Sequence, residues 1–169
     1  MLRRTIAVLL ITIGSLSVAI GIAMGTGASG VTAETARGPL VDRALDVSME
    51  FENGPRAEVE LKTKGNMEVA VQRIVAQPNG TFGWHSHPGP TIVTVLSGTL
   101  TLYLADDCTE GIDYPAGTSF SNLPHEIHLA RNESDSQPLV VFASYFVPVR
   151  TPPLALRIDQ PSPGAECPL

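Results

Sequence analysis

The run Trp84-His85-Ser86-His87-Pro88-Gly89-Pro90, followed by Thr91–Leu96, Ser97-Gly98 and Thr99–Leu104, decides how the chain is read. Side chains of an extended chain alternate between faces, so His85 and His87 point the same way, roughly 7 Å apart along a strand. A rigid Pro-Gly-Pro turn fixes the end of that strand, and two imidazoles on one face can reach a single metal ion. Downstream, Val93 and Val95 alternate with Ile92, Thr94 and Leu96, and Leu100, Leu102 and Leu104 alternate with Thr99, Thr101 and Tyr103. With Ser97-Gly98 between them, the two runs read as a β-hairpin.

Working outward, the remaining mature chain reads the same way. Val47, Met49 and Phe51 alternate with Ser48 and Glu50, and Asn53-Gly54-Pro55 breaks that run. Glu58–Lys64 and Met67–Ala76 follow, joined by Gly65-Asn66, and Pro78-Asn79-Gly80 is expected to end the second. Its two faces are both apolar, as in a strand covered on both sides. The acids of 105–111 lack the spacing of a calcium loop and read as a solvated loop. Ser119-Phe120 opens a short strand, and Leu139–Val147 is a strongly apolar one. No segment carries a sustained helical period with caps. Short strands separated by turn signals predict an all-β sandwich or barrel over 47–148, with Val93, Val95, Leu100, Leu102, Phe142 and Tyr145 inside or half-inside.

The ends read differently. Arg3 and Arg4 precede an uncharged, mostly aliphatic stretch from Ile6 to Met24, and Val31-Thr32-Ala33 has the small residues of a cleavage site. Residues 1–33 are therefore expected to be a signal peptide, or alternatively an uncleaved membrane anchor, since about 18 apolar residues can span a bilayer. Either way the protein is expected to be secreted or held in the cell envelope. Residues 34–46, polar and unpatterned, read as a linker. Residues 149–169 read as a proline-rich arm lying over the surface, with Leu154, Leu156 and Ile158 as a possible last strand. In an exported protein, Cys108 and Cys167 are expected to be bonded, which fastens that arm to the barrel.

Composition excludes some partners. The net charge is −6, and loss of Arg3 and Arg4 makes it two units more negative. The only lysines are Lys62 and Lys64. No basic patch is available for nucleic acid or anionic lipid, so the membrane is a partner only through an uncleaved N-terminal segment. No Gly-rich phosphate loop is present. A small-molecule ligand is the expected partner, and pairing through edge strands into a homodimer fits such folds.

All four histidines fall between 85 and 128. His128 lies on a β-reading segment and is the natural third partner of His85 and His87. His125, beside Pro124, is the rival, although within one strand it would face the opposite way.

These residues resemble the cupins. His85-x-His87, then position 91, then Gly98 is similar to the first cupin signature; Pro115-x-Gly117 with His128-x3-Asn132 is similar to the second. The resemblance covers roughly 47–148. It implies a double-stranded β-helix, or jelly-roll barrel, with a metal between the strands. Its ligands here are His85, His87 and His128, because Thr91 stands where the family usually has Glu. His128 also comes about eight residues later than in the short form of the second signature. Three neutral imidazoles suit a divalent transition metal such as Fe, Zn, Mn, Ni or Cu. The resemblance leaves three functions open: a metal-bearing binding module, a metal-dependent dioxygenase or isomerase, and a metal-free ligand-binding or structural barrel. Gln72, Arg73, Tyr103 and Phe120 are candidates for orienting a ligand.

Overall fold

The computed structural model describes residues 27–40, 45–51, 57–150 and 153–168. The hydrophobic core of the expected signal or anchor lies outside them. Among the described residues there are eleven strands and no helix: β1 (Ser29–Pro39), β2 (Asp46–Phe51), β3 (Ala57–Lys62), β4 (Met67–Ser86), β5 (Thr91–Ser97), β6 (Thr99–Leu104), β7 (Asp107–Pro115), β8 (Ser119–Asn122), β9 (His128–Arg131), β10 (Leu139–Pro148) and β11 (Ile158–Asp159).

Nine of them form one barrel-like sheet in the order β7-β6-β9-β4-β10-β5-β8, with β1 and β11 also paired to β4. The double-stranded β-helix expected from the sequence is thus the observed fold. Strand β4 organises it. Its first half pairs with β1 and β10, and its second half pairs with β9 and β11. The register slips between Thr81 and Trp84, where the strand passes from one wall of the barrel to the other. Pro78-Asn79-Gly80 therefore does not end the strand. Asn79 takes a left-handed conformation, φ 59°, and the strand resumes beyond it. A bulge of this kind bends a strand without stopping it.

The expected hairpin of 91–104 is not formed. Strand β5 pairs with β10 and β8, while β6 pairs with β7 and β9. Ser97-Gly98 is a corner between the two walls. Gly98 has φ +79°, and a Cβ there would sit 3.0 Å from the Pro138 carbonyl oxygen and 3.1 Å from Leu139 Cα. The corner therefore packs against the start of β10, and only glycine fits both the conformation and the space.

Side-chain alternation places the core. Val93, Val95, Leu100, Leu102, Val141, Ala143 and Tyr145 are buried between the walls. Phe142 is the exception to expectation. Tyr145 and Val141 set the inward phase of β10, so Phe142 is on the outer face, 38% exposed. The outer face of β4 is likewise open at Val71, so this strand is covered well on one side only.

Three other expectations are corrected at the margins. Residues 34–39, expected as linker, belong to β1, whose register with β4 runs from Ser29↔Thr81 to Pro39↔Glu68. The expected boundary between 33 and 34 falls inside that strand. Backbone pairing is blind to composition, so a polar, mostly exposed edge strand leaves no alternation to read. Strands β2 and β3 pair with each other in a separate two-stranded sheet and do not join the barrel. The run 105–111 is a turn followed by the start of β7, an exposed edge strand.

The C-terminal arm lies on the barrel as expected. Strand β11 pairs with Ser86 and His85, the Gln160 amide donates to the Trp84 carbonyl at 3.0 Å, and Trp84 Nε1 donates to the Pro168 carbonyl at 2.8 Å. Cys108 and Cys167 are disulfide-bonded. Trp84, Leu129 and the two cysteines form a second apolar cluster beneath the arm.

Candidate metal centre

Alternation along the end of β4 sends Trp84 and Ser86 under the arm and His85 and His87 into the barrel. All four are buried because both faces are covered here. His128 opens β9, directly opposite His85 in the β4–β9 register. The three imidazoles meet with ring centroids 4.4 to 5.1 Å apart. One ring nitrogen from each lies within 4.8 Å of the others, close enough to hold an ion between them. His125 is not among them. It is exposed in the preceding loop with φ 62°, and only its backbone N–H contributes, donating to the His87 carbonyl at 2.8 Å.

The hydrogen bonds fix which nitrogen each ring offers. His85 Nδ1 lies 2.8 Å from the Gly83 carbonyl, His87 Nδ1 2.8 Å from the Leu156 carbonyl, and His128 Nδ1 3.0 Å from the Glu126 carbonyl. A carbonyl oxygen only accepts, so each Nδ1 carries the proton and donates. In a neutral imidazole the other nitrogen is then a bare lone pair. Three Nε2 lone pairs converge, each ring oriented from behind by a backbone carbonyl, which is the arrangement metal-binding histidines adopt.

Burial keeps the rings neutral. Desolvation holds His85 well below the usual histidine value, with repulsion from His128, Arg157 and His87 adding to it. His87 is lowered by desolvation too, and His128 is pushed down to about 3, mainly by desolvation and then by His87. The folded state therefore binds fewer protons than the unfolded one below the ordinary histidine pKa of about 6.5. The stability these rings contribute is full above that pH and is lost as pH falls toward their folded values. For chelator-treated protein, the urea midpoint is expected to drop between pH 6.5 and 5, above the range where carboxylates titrate. A flat midpoint across that window would mean that the rings are not buried neutral in solution.

A fourth side chain shares this chamber. Asn122, 3% exposed, places Nδ2 3.3 Å from His128 Nε2, and its Oδ1 is buried without a partner. Two donors on one tetrahedral ion stand about 3.4 Å apart, given metal–donor bonds near 2.1 Å. In the β5–β8 register Asn122 lies opposite Thr91, the position that lacks the usual carboxylate. Sequence reading missed it, because an Asn before Leu-Pro looks like turn chemistry. A half-turn of the amide presents Oδ1 to an ion held by the three nitrogens. Asn122→Ala is expected to weaken metal affinity about tenfold or more, read by competition with a chelator dye. Unchanged affinity would leave Asn122 as packing.

Around the histidines is a small inner cavity of about 30 Å³, bounded by Val93, Leu100, Phe120 and Tyr145 among others. Against it lies an outer cavity of about 560 Å³ that also reaches His85 and His87. Of the expected ligand-orienting residues, Gln72 lines the outer cavity and Phe120 the inner one. Arg73 is exposed on the outer face. Tyr103 packs in the second cluster and donates to Glu133.

The family profile that matches this chain is that of the cupin domain, over residues 72–145, a span containing all three histidines. Residues 72–145 carry a cupin domain. Several solved structures are similar to parts of this chain. Polyketide cyclase RemF from Streptomyces resistomycificus is 16% identical over 73% of this chain and 74% of its own, with a TM-score of 0.45. A cupin-like protein from Thermotoga maritima is 21% identical over 48% of this chain and 69% of its own, at 0.41. An oxalate oxidase is 20% identical over 50% of this chain, which spans 53% of the oxidase, also at 0.41. Comparison with curated protein sequences gives no significant match. In this cupin domain the donor set fits a divalent transition metal: three neutral imidazoles, their Nδ1 protons already placed, and an unpartnered amide oxygen beside them.

Proposed function

We propose that this is an exported cupin that holds one divalent transition metal through His85, His87 and His128 and binds a small molecule in the barrel. The observation that carries the reading is the convergence of three Nε2 lone pairs with every Nδ1 proton spent on a backbone carbonyl. Three lone pairs facing one another in a buried chamber repel, with relief only at His128, where Asn122 Nδ2 lies 3.3 Å from Nε2. A cation among them turns that repulsion into three bonds. Neutral ligands leave the ion its full double charge, and the bound metal would supply Lewis acidity to a coordinated oxygen. The aliphatic and aromatic walls of the inner cavity exclude bulk water, and Tyr145, whose hydroxyl donates to Gln72 Oε1 at 2.8 Å, closes one side of it.

Export is supported by the Arg3-Arg4 start and the long uncharged run behind it, and it agrees with a disulfide, which persists in oxidising compartments. The low lysine count speaks against nucleic acid as a partner.

The second reading, a metal-dependent enzyme of dioxygenase or isomerase type, is favoured by the outer cavity. It gives a small substrate room to reach His85 and His87.

Elemental analysis of protein purified without an affinity tag that binds metal tests the proposal. About one transition-metal ion per chain is expected, or uptake of one on reconstitution. Protein that stays metal-free after exposure to Fe(II), Mn(II), Ni(II), Cu(II) and Zn(II) in turn would reject it.

A further inference from the structure

We propose that the outer cavity binds a small carboxylate, held between the three-histidine centre and the guanidinium of Arg157 on the C-terminal arm. This rests on the metal reading and names the class of ligand that goes with it.

The cavity, about 560 Å³, has the size of a small-molecule site. Most of its wall is apolar, with Val31, Ile74, Phe82, Leu154 and Leu156 among the lining residues. The polar groups on that wall are nearly all committed to one another. Tyr145 donates to Gln72 Oε1 at 2.8 Å, and Gln72 Nε2 donates to Thr35 Oγ1 at 2.9 Å. Both terminal nitrogens of Arg37 are engaged, one with the Leu154 carbonyl and the other with Glu68, and only its Nε is left buried without a partner. In Arg157 a terminal nitrogen is the one left over. Its Nε donates to Asp159 Oδ1 at 2.7 Å, while its Nη2 is buried with no hydrogen-bond partner. A buried, unpaired N–H of a cation is costly, and the group that satisfies a guanidinium edge best is a carboxylate.

Charge points the same way. Asp159 offsets Arg157, and Glu68 offsets Arg37. Thr91 contributes no charge where a carboxylate ligand would usually stand. A dication among three neutral imidazoles therefore leaves the cavity positive by about two units. An anion that offers one end to the ion and the other to the guanidinium of Arg157, which lines the same cavity as His85 and His87, answers both demands. Arg157 is held in position to do so: β11 follows it and pairs with His85 and Ser86, and the carbonyl of the residue before it accepts from His87 Nδ1. Arg157 also lies outside the 72–145 span of the cupin domain, so this is a feature that the arm adds to the barrel.

The test uses the full chain, with all of β1 present, reconstituted with Co(II), its metal content confirmed first. Acetate, pyruvate, lactate and succinate are titrated by calorimetry and by the cobalt absorption bands, beside pyruvamide as a neutral counterpart. At least one carboxylate is expected to bind and shift the cobalt bands, with pyruvate at least tenfold tighter than pyruvamide if it is the one that fits. Arg157→Gln is expected to lose tenfold or more of that affinity while keeping wild-type metal content and circular dichroism. Binding of none of the four to metal-loaded wild type would overturn the proposal and leave the metal reading intact. Equal affinity for pyruvate and pyruvamide, or wild-type carboxylate affinity in Arg157→Gln, would also overturn it. If Arg157→Gln fails to fold, the wild-type comparison of acid with amide still decides. Failure of wild type to take up cobalt would instead strike the metal reading itself.

Discussion

Alanine at His85, His87 or His128 is expected to reduce metal affinity by more than about a hundredfold, whereas His125→Ala leaves it at the wild-type value. Loss of an outer hydrogen-bond partner of a metal ligand already costs about 10–100-fold, and here a donor itself is removed from a set of three. Thr91 offers no carboxylate to take its place; it is fully buried and bonded only weakly to the Gly89 carbonyl at 3.5 Å, and Asp159, opposite His85 in the β4–β11 register, is held by Arg157. The three variants should be equivalent in kind, because each ring has the same arrangement of Nδ1 on a carbonyl and Nε2 inward. His125 is the control that makes the experiment specific: it is exposed, and its only contact with the site is through the backbone. Elemental analysis and a chelator-competition titration of the four variants and wild type give the answer. Retained affinity in any of the three inner variants would remove that residue from the centre.

The double variant Cys108→Ser/Cys167→Ser is expected to lose about 4 kcal/mol of stability at the upper end, from a cross-link that closes a separation of 59 residues. For a chain of this size that corresponds to a fall in melting temperature of about 10 °C. Stability is only half of the expected effect. The bridge, together with the Trp84–Pro168 hydrogen bond, is what ties the arm down, and the arm supplies the Leu156 carbonyl that orients His87. Metal affinity should therefore fall about tenfold in the same variant, though neither cysteine is near a ligand in sequence. Thermal unfolding gives the first quantity and chelator competition the second. Lowered stability with unchanged affinity would show that β11 holds the arm in register without the bridge.

What could be read from the residues followed a simple physical division. Features set by local alternation were legible. His85 and His87 share a face because they are two apart on a strand, and β10 was visible because its interior is aliphatic and aromatic. Pro124 beside His125, together with facing, separates His128 from His125, and the two do part company in that way, one buried and one in the loop. Features set by which strand meets which were not legible. Thr91–Leu104 has the pattern of a hairpin, and nothing local says that Gly98 abuts Leu139 and sends the two runs to opposite walls. Strand β1 is held by backbone hydrogen bonds to β4, and its exposed Thr32, Glu34 and Thr35 carry no period to read. Asn122 and Arg157 belong to the same class. Each is unremarkable in its own segment, and each acquires a role only when β8 is laid beside β5, or when the arm returns to β4.

The place of the arm in the chain has a consequence for timing. Leu156, Arg157 and Cys167 all follow the three histidines, so a barrel emerging during synthesis has its ligands before it has the carbonyl that sets one of them or the bridge that locks that carbonyl in place. The centre reaches its final geometry only where Cys167 can be oxidised onto Cys108. Three neutral imidazoles discriminate poorly among first-row divalent ions beyond the general affinity order. On the proposed reading of an exported metal centre, which element ends up in the barrel is decided less by the donor set than by the compartment in which the arm closes, and recombinant protein made in a reducing cytoplasm is expected to carry a different metal complement.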